Sequence, residues 1–132
     1  LMRRFHEAKI NNLSEVIVWG TGSAMRDFLY VDDMANACIF ILELDKSTYH
    51  TKTKPMISHI NIGTGREISI GEVAEKMKKI VGFNGKIIFD NSKPDGVLKK
   101  LTDVTCLMDM GWTYNVDIDD GLQQTYKWYV KN

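Results

Sequence analysis

The sequence predicts an α/β protein in which short strands alternate with helices. Brief apolar runs bounded by turn residues, such as residues 16–19 and 86–89, are typical of strands. Other segments repeat apolar residues every third or fourth position, as at Val73, Met77, Ile80 and Val81, which is typical of helices. Because the two patterns alternate along 132 residues, they indicate one α/β region of ordinary domain size.

Composition excludes several classes of partner. The chain has 17 basic and 17 acidic residues, so its formal net charge is zero and any anion site must be local. We therefore expect neither a nucleic-acid nor a membrane partner, and no apolar run reaches the roughly 18 residues of a membrane span. Cys38 and Cys106 fall in apolar helical patterns, so we expect reduced core residues in a cytoplasmic protein.

The first elements are a helix and a strand. Leu1, Met2, Phe5 and Ala8 form an apolar stripe at helical spacing that no capping residue precedes. A natural helix rarely begins uncapped, so we expect the chain to be a fragment of a longer protein. Residues 16–19 are apolar on both faces, which predicts an interior strand.

A Gly-rich turn at residues 20–23 leads to a second predicted strand, residues 26–31. Asp32 or Asp33 is predicted to cap a helix that ends near residue 44 and has little polar face, so we expect it to be well buried. Residues 45–55 are polar and predict a surface connection. A strand over residues 57–62 is then expected, ending in Gly-Thr-Gly.

The last part of the chain carries clear boundary signals. Ser69 and Glu72 form a capping-box pattern, and Gly82 is placed to end the helix that they begin. A strand at residues 86–89, a turn at 92–96 and a short helix at 103–110 follow. A final helix begins after Asp117.

Two side chains flank the first Gly-rich turn. Trp19 is either a stacking platform for a ligand or a core residue of an apolar strand. Arg26 is either an anion ligand or an ion-pair partner of Asp27 or Asp33. A planar, permanently charged guanidinium suits a phosphate group, but spacing alone leaves both alternatives open.

The turn at residues 92–96 offers a second set of charges. Lys93, Asp95, Lys99 and Lys100 lie in or just after it. They form either a solvated surface loop or a clamp in which Lys100 meets a pyrophosphate and Asp95 accepts from a sugar hydroxyl.

No residue of the chain is predicted to be catalytic or to bind a metal. The Asp32–Asp33 pair could act in acid–base chemistry, but helix capping is favoured. Residues 63–65 lack the third glycine of a dinucleotide loop, so a plain strand-to-helix turn is favoured. The three histidines (His6, His50 and His59) lack partners at metal or triad spacing and are interpreted as structural.

Several motifs resemble a known family. Residues 18–22, the run from Arg26 to Asp33, and residues 61–65 resemble the C-terminal half of extended short-chain dehydrogenases acting on nucleotide sugars. Residues 89–96, with the Ser-Lys-Pro-Asp-Gly run, and residues 100–104 look like the members that epimerise and reduce GDP-4-keto-6-deoxymannose.

The resemblance implies a function for the whole protein. Residues 1–132 would form a single substrate-binding region, including elements that complete a Rossmann-type sheet. The N-terminal half, with the NADP loop and all catalytic residues, would lie outside this sequence. The implied partners are a GDP-sugar substrate, NADP and a second subunit of a homodimer. The implied substrate ligands are Arg4, Trp19, Arg26, Lys86, Asp95 and Lys100.

Overall fold

The computed structural model describes residues 1–132 and confirms the α/β class. The helices are α1 (Met2–Ile10), α2 (Val31–Glu43), α3 (Lys46–Lys52), α4 (Ile70–Val81), α5 (Thr105–Asp109) and α6 (Ile118–Lys131). The strands are β1 (Glu15–Trp19), β2 (Met25–Arg26), β3 (Ile68–Ser69), β4 (Lys86–Asp90) and β5 (Lys99–Lys100). No helix of the chain has both the length and the apolar character needed to cross a membrane.

The main core lies beside a two-stranded parallel sheet. β1 pairs with β4 in a register that runs from Glu15 opposite Lys86 to Trp19 opposite Asp90. Side chains from α1, α4 and β1 form one buried cluster against this sheet: Phe5, Ala8, Val16, Val18, Ala74, Met77, Val81 and Phe83. Since β1 has a single strand partner and buries only alternate residues, the prediction of an interior strand is wrong.

A second sheet consists of three strands of two residues each, in the order β3-β2-β5. The predicted strand over residues 26–31 is therefore too long. Its second residue, Asp27, turns its carboxylate to the backbone of Thr64 and Gly65, so no ladder continues there. The strand predicted over residues 57–62 is absent as well, because only an isolated bridge between Lys54 and Ile57 forms.

Helix α2 differs from the prediction at its start and in its burial. Its N-cap is Tyr30, without a side-chain hydrogen bond, so neither Asp32 nor Asp33 caps it. Asp33 is instead 4% exposed and accepts from the backbone N–H of Asn115 and Val116. The helix is also not well buried, because only Asp33 and Ala37 are fully covered.

Both cysteines are free thiols, but they are not core residues. Cys38 is exposed on α2 and Cys106 is half-buried on α5. The predicted connection at residues 45–55 does lie on the surface, although it contains the short helix α3 with no buried residue. Asp45 caps α3, and hydrogen bonds from Ser47 and Thr48 hold the pKa of its carboxyl well below the ordinary value.

Predicted helix boundaries are confirmed where the sequence contains a complete capping motif. Ser69 and Glu72 form a reciprocal capping box at the start of α4, and Gly82 ends that helix with a left-handed φ of 71°. Asp117 caps α6 by accepting from two backbone N–H groups. Helix α1 begins at Met2 with no side-chain cap, as its sequence predicts.

Candidate functional site

The loops that follow β1 and β4 leave the same edge of the parallel sheet. Trp19 and Asp90 are register partners at the carboxyl ends of these strands. In α/β proteins, ligands bind in the crevice outside the carboxyl ends of parallel strands. We therefore take the loops at residues 20–24 and 91–98, together with the neighbouring strands β2 and β5, as the candidate site.

Two hydrogen bonds join the loop after β1 to the loop after β4. The Asp95 carboxylate accepts from the backbone N–H of Thr21 at 2.6 Å and from its hydroxyl at 2.8 Å. Gly20 has a φ of +82°, and a Cβ there would overlap the Asp95 carboxylate. The close approach of the loops therefore needs glycine at this position.

Arg26 is fixed by backbone carbonyl groups. Its Nη1 donates to the oxygen of Met25 at 2.6 Å and to that of Val97 at 2.8 Å. No ion pair forms with Asp27 or Asp33, so that alternative is excluded. The guanidinium is held in place by Nη1, and the N–H groups of its Nε and Nη2 remain available to donate to a ligand.

Lys100 lies directly beside Arg26. The two residues are register partners in the parallel pairing of β2 and β5, so their Cα atoms are roughly 5 Å apart. Neither side chain forms an ion pair, whereas the neighbouring Lys99 pairs with Glu67 at 2.7 Å. Two adjacent cations without a counter-ion favour an anion between them.

Trp19 is 60% exposed, so it does not belong to a core formed by residues 1–132. The Arg4 guanidinium lies 5.5 Å from the centroid of the indole ring, and Arg4 Nη1 also donates to the Ile17 carbonyl at 3.2 Å. Arg4, Trp19 and Asp90 line one hollow. The pair therefore presents an ordered aromatic surface and a cation next to the loops of the site.

Lys86 is the one predicted ligand that lies apart from the others. It pairs with Glu15 at the amino end of the strands, four residues before Asp90. At about 3.3 Å per residue, this separation is roughly 13 Å along β4. The structure thus pairs Arg4 with Trp19 and Arg26 with Lys100, and Asp95 contacts the loop that separates Trp19 from Arg26, whereas Lys86 lies apart.

The second Gly-Thr-Gly turn is occupied by a side chain of the protein itself. Asp27 accepts from the Thr64 N–H at 3.1 Å, from the Thr64 hydroxyl at 2.5 Å and from the Gly65 N–H at 3.1 Å. These donors are no longer free to hold a phosphate, so the turn is structural as predicted, although no strand precedes it. No local sequence pattern indicates Asp27 as the partner, because 37 residues separate it from Thr64.

No catalytic constellation appears among residues 1–132. No group of three or more His, Cys, Asp or Glu side chains could hold a metal ion. His6 lies 3.1 Å from the Tyr126 hydroxyl and packs edge-on against Tyr129, a structural arrangement. The carboxyls whose pKa is lowered (Asp45, Glu72 and Asp103) serve helix ends and turns outside the site, where hydroxyl groups donate to them.

Comparisons with known proteins agree with the α/β fold described above. Residues 1–63 match the NAD dependent epimerase/dehydratase family. This match includes residues 18–22 and 26–33, two of the segments in which the sequence resembles that superfamily.

Along its whole length the chain is similar to GDP-L-fucose synthases. It is 48% identical over 132 residues to that enzyme from Escherichia coli K12 and 52% identical to GDP-L-fucose synthase 1 from Arabidopsis thaliana. These matches cover 100% of this chain but 41% and 38% of the relatives. The chain therefore spans about two fifths of the length of the relatives it matches.

Solved structures show the same likeness. The GDP-mannoheptose C4 reductase MlghC from Campylobacter jejuni, with NADP bound, has a TM-score of 0.83 at 32% identity and matches 98% of this chain and 43% of its own. A GDP-L-fucose synthetase from Naegleria fowleri bound to NADP has a TM-score of 0.83 at 26% identity, with 99% and 39% covered.

Proposed function

We propose that this chain is the GDP-sugar-binding region of an NADP-dependent GDP-L-fucose synthase. The complete enzyme would convert GDP-4-keto-6-deoxy-D-mannose to GDP-L-fucose by epimerisation at two carbons and reduction of the keto group. Whole-chain identity of 48–52% to GDP-L-fucose synthases supports this assignment. Residues 1–132 would form one substrate-binding region of the complete, cytoplasmic, homodimeric protein.

The observation that carries the proposal is the unpaired cation pair formed by Arg26 and Lys100. A pyrophosphate spreads its negative charge over several oxygens and can accept from both side chains at once. The guanidinium is already oriented by the carbonyls of Met25 and Val97, so binding costs little side-chain entropy. Arg26 and Lys100 would therefore hold the two phosphates.

Trp19 and Arg4 would bind the guanine base or a face of the sugar. One side of the indole faces the Arg4 guanidinium, and the ring is otherwise largely exposed. A guanine base or a sugar face stacked there would gain apolar contact and a nearby cation. Asp95 would shape this wall through Thr21 and accept from a ligand hydroxyl with its remaining lone pairs. Lys86 would supply its positive charge only at the amino end of β1 and β4, away from the other proposed ligands.

The residues of this chain do not fit a dinucleotide cofactor. The one Gly-rich turn that follows an apolar segment and precedes a helix is filled by the Asp27 carboxylate. NADP, which supplies a hydride in this chemistry, would therefore be bound mainly by the part of the enzyme outside these residues. Within this chain, the side chains bind and orient the substrate.

The proposal is tested in a chimera in which this chain replaces the matching 132 residues of the Escherichia coli enzyme. GDP, UDP and dTDP are titrated into it by calorimetry, with the parent Escherichia coli enzyme as control. We expect GDP to bind at least about tenfold more tightly than the other two. Equal affinity for all three would instead indicate another nucleotide-sugar epimerase or dehydratase. No binding of any of them would overturn the proposal.

A further inference from the structure

We infer that Glu67 is a positioning residue for the proposed phosphate site, because its ion pair with Lys99 holds strand β5 in place. The Glu67 carboxylate and Lys99 Nζ are 2.7 Å apart. The next residue of β5 is Lys100, the register partner of Arg26. The inference rests on the proposed function, since it concerns the cations that would bind the pyrophosphate.

Strand β5 is an exposed edge strand that carries two positive charges. It lies at one edge of the order β3-β2-β5, and both of its residues, Lys99 and Lys100, are exposed. Successive side chains of a strand leave opposite faces of the sheet, so Lys100 shares a face with Arg26 and Lys99 lies on the other face. The like charges of Arg26 and Lys100 repel each other when no anion lies between them.

Backbone pairing alone holds β5 in place only weakly. The three strands of this sheet are two residues long, and residues 94–97 before β5 belong to no helix or strand. The register of a strand is weakly specified where no apolar side chain of that strand is buried. A further contact is therefore needed to keep Lys100 beside Arg26 against their repulsion.

Glu67 supplies this contact from the opposite edge of the sheet. It directly precedes β3, and the strand order places β2 between it and Lys99. Two strand spacings amount to roughly 10 Å, so the ion pair ties the two edge strands together across β2. Because Lys99 lies on the face opposite to Arg26, the pair neutralises Lys99 and leaves Lys100 free for an anion.

The burial of Glu67 makes this ion pair stronger than an ordinary surface pair. The Glu67 side chain is only 16% exposed, whereas Lys99 is 64% exposed. Glu67 Oε2 pairs with Lys99, and Oε1 is buried without a hydrogen-bond partner. A largely buried carboxylate that loses its cation is costly, so the fold strongly favours the arrangement with Lys99 beside it.

Positioning of β5 differs in sign from a simple effect of charge. Glu67 is negative, so loss of its charge alone would raise the positive potential near the phosphates and tighten GDP binding. If the ion pair holds Lys100 in place, loss of Glu67 frees β5 and weakens GDP binding instead. The two explanations therefore predict opposite results for a Glu67 variant.

Calorimetry of the chimera with GDP compares Glu67→Gln, Lys99→Gln and Lys99→Arg. We expect each Gln variant to weaken GDP binding about fivefold, whereas Lys99→Arg keeps the ion pair and should stay within about twofold of the parent chimera. Asp119→Asn is the matched control, because it breaks another 2.7 Å pair, with Lys76, between helices α4 and α6. It should also stay within about twofold of the parent.

A double-variant cycle tests whether Glu67 acts through Lys100. In a Lys100→Ala background, Glu67→Gln should change GDP affinity less than about twofold, because the group that it positions is gone. An equal loss in both backgrounds would indicate a general structural role and would overturn the inference.

Unchanged or tighter GDP binding in Glu67→Gln would also overturn the inference. It would leave the proposed function intact, provided that the parent chimera prefers GDP. If Glu67→Gln does not fold, equal GDP affinities of Lys99→Gln and Lys99→Arg would overturn the inference. Absence of GDP binding in the parent chimera would remove the proposed function, and this inference with it.

Discussion

The carboxylate of Asp95 accepts two hydrogen bonds from Thr21, at 2.6 Å from the backbone N–H and at 2.8 Å from the hydroxyl. These residues are 74 positions apart in the sequence. Their contact fixes the loop after β1 against the loop after β4. This pair, together with the hydrogen bond from Arg26 to the Val97 carbonyl, therefore sets the relative placement of the proposed phosphate and base ligands.

Removing either partner of this pair should weaken nucleotide binding. We expect Asp95→Ala in the chimera to reduce GDP affinity about fivefold to tenfold, because it removes both hydrogen bonds between the loops. Thr21→Val removes only the hydroxyl donor and keeps the backbone N–H, so we expect a smaller loss of about twofold to fivefold. The double variant should be little worse than Asp95→Ala alone, since Asp95→Ala already removes both hydrogen bonds. Calorimetry measures all three, with Asp109→Ala, at an exposed ion pair with Lys52, as the control. Unchanged affinity in Thr21→Val would mean that the hydroxyl hydrogen bond does not help to position the loops.

The neighbouring carboxylates Asp32 and Asp33 should differ strongly in their effect on stability. Asp33→Ala leaves the N–H groups of Asn115 and Val116 without their acceptor and should lower the free energy of unfolding by about 2 kcal/mol. Asp32→Ala changes an exposed residue of the same helical turn and should cost less than about 1 kcal/mol. Urea unfolding of the 132-residue chain compares the two. Equal losses would contradict the role of Asp33 in fixing α2 to residues 115 and 116.

Asp27 should stabilise the turn that a sequence comparison would assign to phosphate binding. Asp27→Ala removes the acceptor of three donors from Thr64 and Gly65, so we expect a loss of about 2–3 kcal/mol. Thr64→Val removes only the hydroxyl and should cost about half as much. Urea unfolding measures both. If Asp27→Ala were neutral in stability and created a phosphate site, the assignment of this turn as purely structural would be wrong.

The capping box at α4 should make the free energy of unfolding depend on pH in the acid range. The Ser69 hydroxyl, followed by the Ser69 N–H, lowers the pKa of Glu72 below its ordinary value in the folded protein. A group with a depressed folded pKa stabilises the protein above its unfolded pKa, near 4.3, and this contribution is lost as the pH falls further. Unfolding measured at pH 7, 5 and 3 should therefore show less loss on acidification in Glu72→Gln than in the parent chain. An identical acid dependence in the two chains would count against this contribution.

The sequence predicts those features whose partners lie within one helical turn. Ser69 and Glu72 are three residues apart, and Gly82 ends the same helix, so both ends of α4 could be predicted. The sequence predicts Asp32 or Asp33 as a helix cap, because the actual partners of Asp33 lie 82 and 83 residues away. No local pattern carries that information.

Burial was the least predictable property. Helix α2 is apolar nearly all round, and such a helix is normally buried. The sequence could not indicate which side this chain covers itself, because the answer depends on how much of the protein is present. The sequence leaves two alternatives open for Trp19, because exposed and core tryptophans in a short apolar strand have the same spacing.

In the candidate site, the ligand types were predictable but their arrangement was not. Arg26 and Lys100 are 74 residues apart, yet they become register partners across β2 and β5. Lys86 shares their charge but lies at the other end of a strand, which only the register of β1 with β4 reveals.

The central claim is that Arg26 and Lys100 together hold the pyrophosphate of a GDP-sugar. Calorimetry of the chimera with GDP tests it most directly, using Arg26→Ala, Lys100→Ala and a Lys93→Ala control at an exposed position in the same loop. We predict that Arg26→Ala and Lys100→Ala each weaken GDP binding at least about tenfold and that Lys93→Ala changes it less than about threefold. Undiminished GDP affinity in Arg26→Ala would contradict the account.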